Sequence, residues 1–483
     1  MARKPGFLED RSNPGWDIQG DDNDGKDVTL SLVPEAVITG SISLPTSEPP
    51  DSITLQLFRR VVSDGEAQYM PAGMTRSTSD GQFRFAELRA GTYKLLTHEL
   101  LDRDPLTFDP RGPQFGYPPV FFPNAPDFAS AGTIEVVPGQ TQTVSLSLVK
   151  QAYYRIRIPV ITLGGGAPEQ GLFVTVSAHG HNGPGFTLGY NNNDHAIAGS
   201  LPNGTYMVEA LSWPNGAMES GIETITVKGG PVDGTAIVLA PSSAIPVEVK
   251  EEFTSADPIG RTTWNVNGRN VDVKGPRRYL NVTLDPVDNF GMARGSSLRN
   301  GNVDPNAPLE IESPPAGSYW VHVNSSRGYA ASIRSGNLDL KEQPLVVGAG
   351  GTAAPIEITM RDETAEISGK VEGVVQGSDA GTAGAAVNTP YPVRRQASAH
   401  VYFVPLPDSS GRFTQQRADP DGSFDHAALA PGAYRLLAFD HQQPELEYRN
   451  PEAMRAYDSK GPVVRVSAGQ KEQVTLQLIH TEQ

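Results

Sequence analysis

The sequence predicts an all-β chain: a tandem array of four β-sandwich units preceded by the tail of an earlier one. Three observations carry this. A short cassette recurs as Ala90-Gly91-Thr92-Tyr93, Asn203-Gly204-Thr205-Tyr206, Ala316-Gly317-Ser318-Tyr319 and Pro431-Gly432-Ala433-Tyr434, its glycines 113, 113 and 115 residues apart. That spacing is the size of a domain. After each cassette apolar residues fall at alternate positions (Tyr93 and Leu95, Tyr206 and Val208, Tyr319 and Val321, Tyr434 and Leu436), the period of a half-buried strand. Finally, 50 Gly and 41 Pro in 483 residues leave little room for helices.

Met1 to Val33 is expected to be the tail of a preceding β-domain, so that the chain starts mid-domain. One period back from Gly91 falls before Met1, while Val28, Leu30 and Leu32 already alternate like a closing strand. The alternative reading of 1–33 is an acidic, unstructured segment. No apolar stretch of signal-peptide length follows the charged start.

The first sandwich is placed at 34–149, the second at 150–240, the third at 241–360 and the fourth at 361–483. Each boundary follows an alternating strand: Val144, Leu146 and Leu148; Ile237 and Leu239; Ile356, Ile358 and Met360. Val474, Leu476 and Leu478 close the fourth. In each cassette Gly admits a backbone turn that other residues resist, and Tyr brings a ring for the core and a hydroxyl that needs a partner, as in the tyrosine corner of sandwich folds. Units one and four also carry Ser79-Asp80-Gly81-Gln82-Phe83 and Pro420-Asp421-Gly422-Ser423-Phe424, Asp-Gly turns opening a strand ten residues before the cassette glycine. Short linkers predict a fairly extended rod. Asp102 to Phe128, with seven Pro and six aromatics, reads as a long ordered loop whose Phe121 and Phe122 pack on their own sandwich, and Glu372 to Gln396 reads as a mobile loop.

Asp-Gly-x-Phe, then Leu-x-x-Gly-x-Tyr, then Val136-Val137-Pro138-Gly139-Gln140 or Val466-Ser467-Ala468-Gly469-Gln470 before the closing strand together resemble the carboxypeptidase regulatory-like, or transthyretin-like, domains. The likeness covers most of the chain and is strongest in units one and four. It implies transthyretin-like/Ig-like sandwiches with a carbohydrate-binding-like fold, of the kind found in large secreted proteins of soil bacteria, without hydrolytic activity of their own. An extracellular or cell-envelope location follows from the resemblance alone.

A formal charge of -16 and a pI near 5.0 argue against a nucleic-acid partner, which needs clustered Lys and Arg. No apolar run approaches the ~20 residues of a membrane span. With no Cys there are no disulfides and no thiolate chemistry. Neither a His-x-x-Glu zinc pattern nor a Gly-x-Ser-x-Gly elbow occurs. Asp21, Asp22 and Asp24 cluster like calcium ligands but lack EF-hand spacing and read as a solvated acidic loop. His179 and His181 share a strand face and His195 stands where a returning strand could complete a metal site. No carboxylate ligand or supporting partner can be assigned to them, so an exposed loop edge is preferred and no metal or cofactor is expected.

The function expected is a non-catalytic, extracellular or cell-envelope scaffold or interaction protein, with self-assembly open through sheet edges. The alternative is carbohydrate binding on exposed aromatics. Trp16, Trp213, Trp264 and Trp320 are the possible platforms. Trp320 follows core-facing Tyr319 and so points outward, while Trp213 stands beside Pro214 in a loop; ordinary packing accounts equally for both.

Overall fold

The computed structural model describes residues 4–9, 32–45, 52–102, 112–168, 171–178, 185–214, 218–254, 262–266, 269–273, 280–287, 295–298, 308–312, 314–374, 399–407 and 409–481. Almost all regular secondary structure among the described residues is strand, with one α-helical turn at Pro451–Met454 capped by Asn450. The acidic Asp21 to Asp24 loop and most of the Glu372 to Gln396 stretch lie outside the described residues. Near the N-terminus Phe7–Glu9 pairs antiparallel with Leu32–Pro34.

Four cores follow one another along the chain. The first runs from Ala36 to Leu148, the second from Ile156 to Leu239, the third from Ile245 to Met360, and the fourth from Ala365 to Leu476. In the first unit, Ile134–Val136, Gly91–Thr97, Thr54–Ser63 and Glu66–Arg76 form one sheet, and Thr141–Ser147, Ala36–Ser43 and Gln82–Leu88 the other. One pairing recurs in all four units: the opening strand lies parallel to the closing strand. The pairs are Ala36–Ser43 with Thr141–Ser147, Gln151–Thr162 with Ile237–Pro241, Ile245–Glu252 with Ile356–Arg361, and Ala365–Glu372 with Lys471–Ile479. Parallel neighbours run from the same end to the same end, so the chain enters a unit at one pole and leaves at the other. Successive units can therefore follow with short linkers.

The cassettes are tyrosine corners. Each tyrosine hydroxyl donates to the carbonyl four residues upstream: Tyr93 to Arg89 at 2.7 Å, Tyr206 to Pro202 at 3.1 Å, Tyr319 to Pro315 at 2.8 Å and Tyr434 to Ala430 at 2.6 Å. The preceding glycines have φ between +144° and +159°, a region other residues rarely enter. Burial raises the hydroxyl pKa of all four, those of Tyr319 and Tyr434 to about 12.

The Asp-Gly-x-Phe turns have an equally specific job. Phe83 and Phe424 sit over a glycine of the opening strand, so a β-carbon on Gly40 would lie 2.4 Å from the Phe83 ring and one on Gly369 2.8 Å from the Phe424 ring. The long loop after Asp102 packs back on the first unit: Phe121 joins Phe58, Leu96, Ala125 and Ala131 in a second small core, and Phe122 borders the main one. This cover buries Lys94 on the nominally outward face of its strand, where Nζ donates to the Phe128 carbonyl at 2.7 Å and lies 4.1 Å from the Phe128 ring centroid.

Units do not merely abut. Gln114–Tyr117, from the first unit's loop, pairs with the start of Gln151–Thr162, so hydrogen bonding runs unbroken into the second unit. Ser242 N donates to Met218 O at 2.9 Å across the second boundary. The expected extended rod is not what forms. The hairpin of Thr54–Ser63 and Glu66–Arg76 reaches the fourth unit, where Arg60 pairs with Glu447 at 2.5 Å, and it also touches the third through Asp64 and His322 at 3.2 Å. Linker length sets how freely neighbours bend, but a ten-residue arm fastened to a distant unit sets the overall path.

Candidate functional site

Where the first, third and fourth units meet there is a cleft of about 180 Å³, and its wall holds Trp320. Strand Gly317–Ser325 buries Tyr319, Val321 and Val323, so Trp320 and His322 project from the opposite face. Asp285 lies directly across from Trp320 on the neighbouring strand. The first unit's hairpin contributes Asp64, Glu66 and Gln68, and the fourth unit contributes Arg449. Three sequence-distant segments thus converge on one aromatic.

His322 bridges two carboxylates, with Nδ1 3.2 Å from Asp64 Oδ2 and Nε2 3.4 Å from Asp285 Oδ2. Burial lowers its pKa, and the Arg449 charge works in the same direction, against the pull of Asp64, Asp285 and Glu66. A neutral imidazole carries one N–H, so it can donate to only one of those aspartates at a time. Asp64 is further bound by the Tyr448 hydroxyl and the Arg449 guanidinium, and Glu66 Oε1 stands 3.9 Å from Arg449. The result is an aromatic wall beside carboxylate oxygen acceptors, an imidazole and a guanidinium.

A larger cleft of about 440 Å³ separates the third and fourth units, lined by Tyr329, Glu363, Ser410 and Pro431 among others. Its Arg361 is held by Glu252, with contacts at 2.8 and 2.9 Å.

Of the remaining sequence candidates, the described ones, His195 and Trp213, line neither cleft. His179 and His181 lie outside the described residues, and His195 is an exposed turn residue with φ +47° whose ring faces the Tyr190 hydroxyl at 3.4 Å. Among the described residues no three His, Cys, Asp or Glu side chains are grouped to hold a metal ion. Trp213 is 39% exposed just past the strand Gly204–Ser212 and lines neither cleft. Trp16 and the Trp264 side chain fall outside the described residues. Sequence reasoning found Trp320 and its orientation but missed His322, Asp285, Asp64 and Arg449. The alternation that turned Trp320 outward also turns out His322, two residues on.

No helix among the described residues is long and apolar enough to cross a membrane. No family model and no curated protein matches the chain. Among solved structures the chain is similar to the Bacillus anthracis TIE protein, with 11% identity over 88% of this chain and 68% of that one, at a TM-score of 0.16. It is similar to the major pilin subunit of Bacillus cereus, with 8% identity over 92% and 99%, at 0.15. It is similar to the Streptococcal ancillary pilin, with 13% identity over 42% and 62%, at 0.18. Superpositions this loose carry no argument about what the chain does.

Proposed function

We propose that the protein is a non-catalytic scaffold or interaction protein of the cell envelope or extracellular space, built from carboxypeptidase regulatory-like sandwiches. The observation that carries this reading is repetition: each of the four units carries the same tyrosine corner and the same parallel pairing of opening and closing strands, features that serve packing and joining. Labelling of intact producing cells with antibody tests the location; signal that appears only after permeabilisation would reject it. Turnover of any glycoside, ester or peptide panel by the purified protein would reject the non-catalytic part.

Trp320 favours a second reading, carbohydrate binding at the three-unit cleft. Sugars stack an apolar ring face on indole and hydrogen-bond to carboxylates, and Trp320 stands beside Asp64, Glu66 and Asp285. Selective retention on a glycan array that Trp320→Ala abolishes supports this reading; retention that survives Trp320→Ala removes it.

A further inference from the structure

Hairpin tips are ordinarily the most exposed part of a sheet, yet Gly65, at the tip of the first unit's hairpin, is buried. Asp64 and Gly65 have φ of +49° and +76°, the two positive values of the tight turn that Asp-Gly favours. Gly65 presses against the ring of Tyr448 so closely that a β-carbon would lie 2.6 Å from it. That ring is stacked at 4.2 Å and 5° on Phe413, which backs it from within the fourth unit. Arg449 N donates to Gly65 O at 3.1 Å, and Asp64 accepts from both Tyr448 and Arg449. A second grip lies five residues earlier, where Arg60 meets Glu447. Shape, backbone and charge all fit tip to slot, between segments some 385 residues apart.

We infer that the Asp64–Gly65 tip is a latch that holds the four units in a closed array, and that screening its ion pairs releases them into an extended one. The charged members are only partly shielded, with side-chain exposures of 42% for Asp64 and 33% for Arg449. Such pairs weaken as salt rises. His322 of the third unit pairs with the same Asp64, so freeing the tip also removes that pair and opens the Trp320 cleft. Closure and the cleft are therefore one event.

Small-angle scattering on the full chain tests this. Glu447→Arg places two cations together, and Gly65→Asn keeps a residue that tolerates positive φ while driving a side chain into Tyr448. Either variant should raise the monomer's radius of gyration by roughly a third, the change from a closed to a linear set of four ~100-residue units. The charge-swapped pair Arg60→Glu with Glu447→Arg should return it to the wild-type value. Wild type at ~1 M salt, where the screening length is about 3 Å, should also expand. An unchanged radius in Glu447→Arg, no restoration by the swapped pair, or wild type indifferent to salt would each overturn the latch. Circular dichroism identical to wild type separates opening from unfolding.

Discussion

The Tyr206 hydroxyl donates to the Pro202 carbonyl at 3.1 Å, and both belong to a turn that the chain repeats in every unit. The glycine between them, Gly204, has φ +158°, and the Tyr206 hydroxyl would lie 2.9 Å from any β-carbon placed there. Glycine and tyrosine are thus two halves of one device: the glycine lets the backbone turn under the ring, and the ring ties the turn back to the strand before it.

Tyr206→Phe should cost the second unit about 1 kcal/mol, the net worth of a buried hydrogen bond whose carbonyl is then left unpaired. Tyr206→Ala should cost about 3–5 kcal/mol by adding a cavity. Urea denaturation resolves the two. Equal losses would mean that the hydroxyl contributes nothing.

Gly369 allows the closing strand and Phe424 to approach together, since a β-carbon there would meet Val474 O at 2.0 Å. Gly369→Ala should destabilise the fourth unit by about 1–3 kcal/mol through overpacking. Gly189, with nothing within 4 Å, is the control, and its alanine variant should stay within about 0.5 kcal/mol of wild type. Thermal melts of the two variants make the comparison.

Glu99 fastens the first unit to the second. One carboxylate oxygen accepts from Thr187 N at 2.7 Å, while the other is buried without a partner among the described residues, as is the Tyr153 hydroxyl. Burial raises the Glu99 pKa to about 7. A raised folded-state pKa favours the protonated carboxyl, so this contribution is complete below the ordinary value of 4.5 and is lost as pH climbs through about 7. The loss is at most about 3 kcal/mol. Stability measured from pH 4.5 to 8 should fall across that window in wild type and lose this component in Glu99→Gln.

Lys94 is 7% exposed and holds the loop around Phe128 by a hydrogen bond and by its charge over the ring. Burial lowers its pKa, opposed by Asp127. Lys94→Ala should cost about 1–3 kcal/mol and undock this loop. Faster limited proteolysis near Phe128 than in wild type is the expected readout.

Much of the fold was legible because its signals are local. A glycine that must take a special backbone angle, a tyrosine two residues on and alternating apolar positions act within a few residues of one another, so the four corners, the β class and the outward face of Trp320 could all be read without coordinates. Phe121 was legible too, because a Pro- and aromatic-rich loop has little else to do than cover its own sheet. The neighbours of Trp320 were not. His322 and Asp285 sit on its own sheet, but Asp64 comes from the first unit and Arg449 from the fourth, and no periodicity relates residues hundreds of positions apart. Lys94 also escaped, since alternation placed it outward and only the returning loop buried it.

What the amino-acid order by itself determined is the repeated sandwich and its corners, since backbone angle, side-chain period and turn chemistry are properties of short segments. Only the tertiary structure decided that the array closes on itself, because that depends on one hairpin being long enough, and its glycine tip bare enough, to seat against Tyr448 in a unit far along the chain.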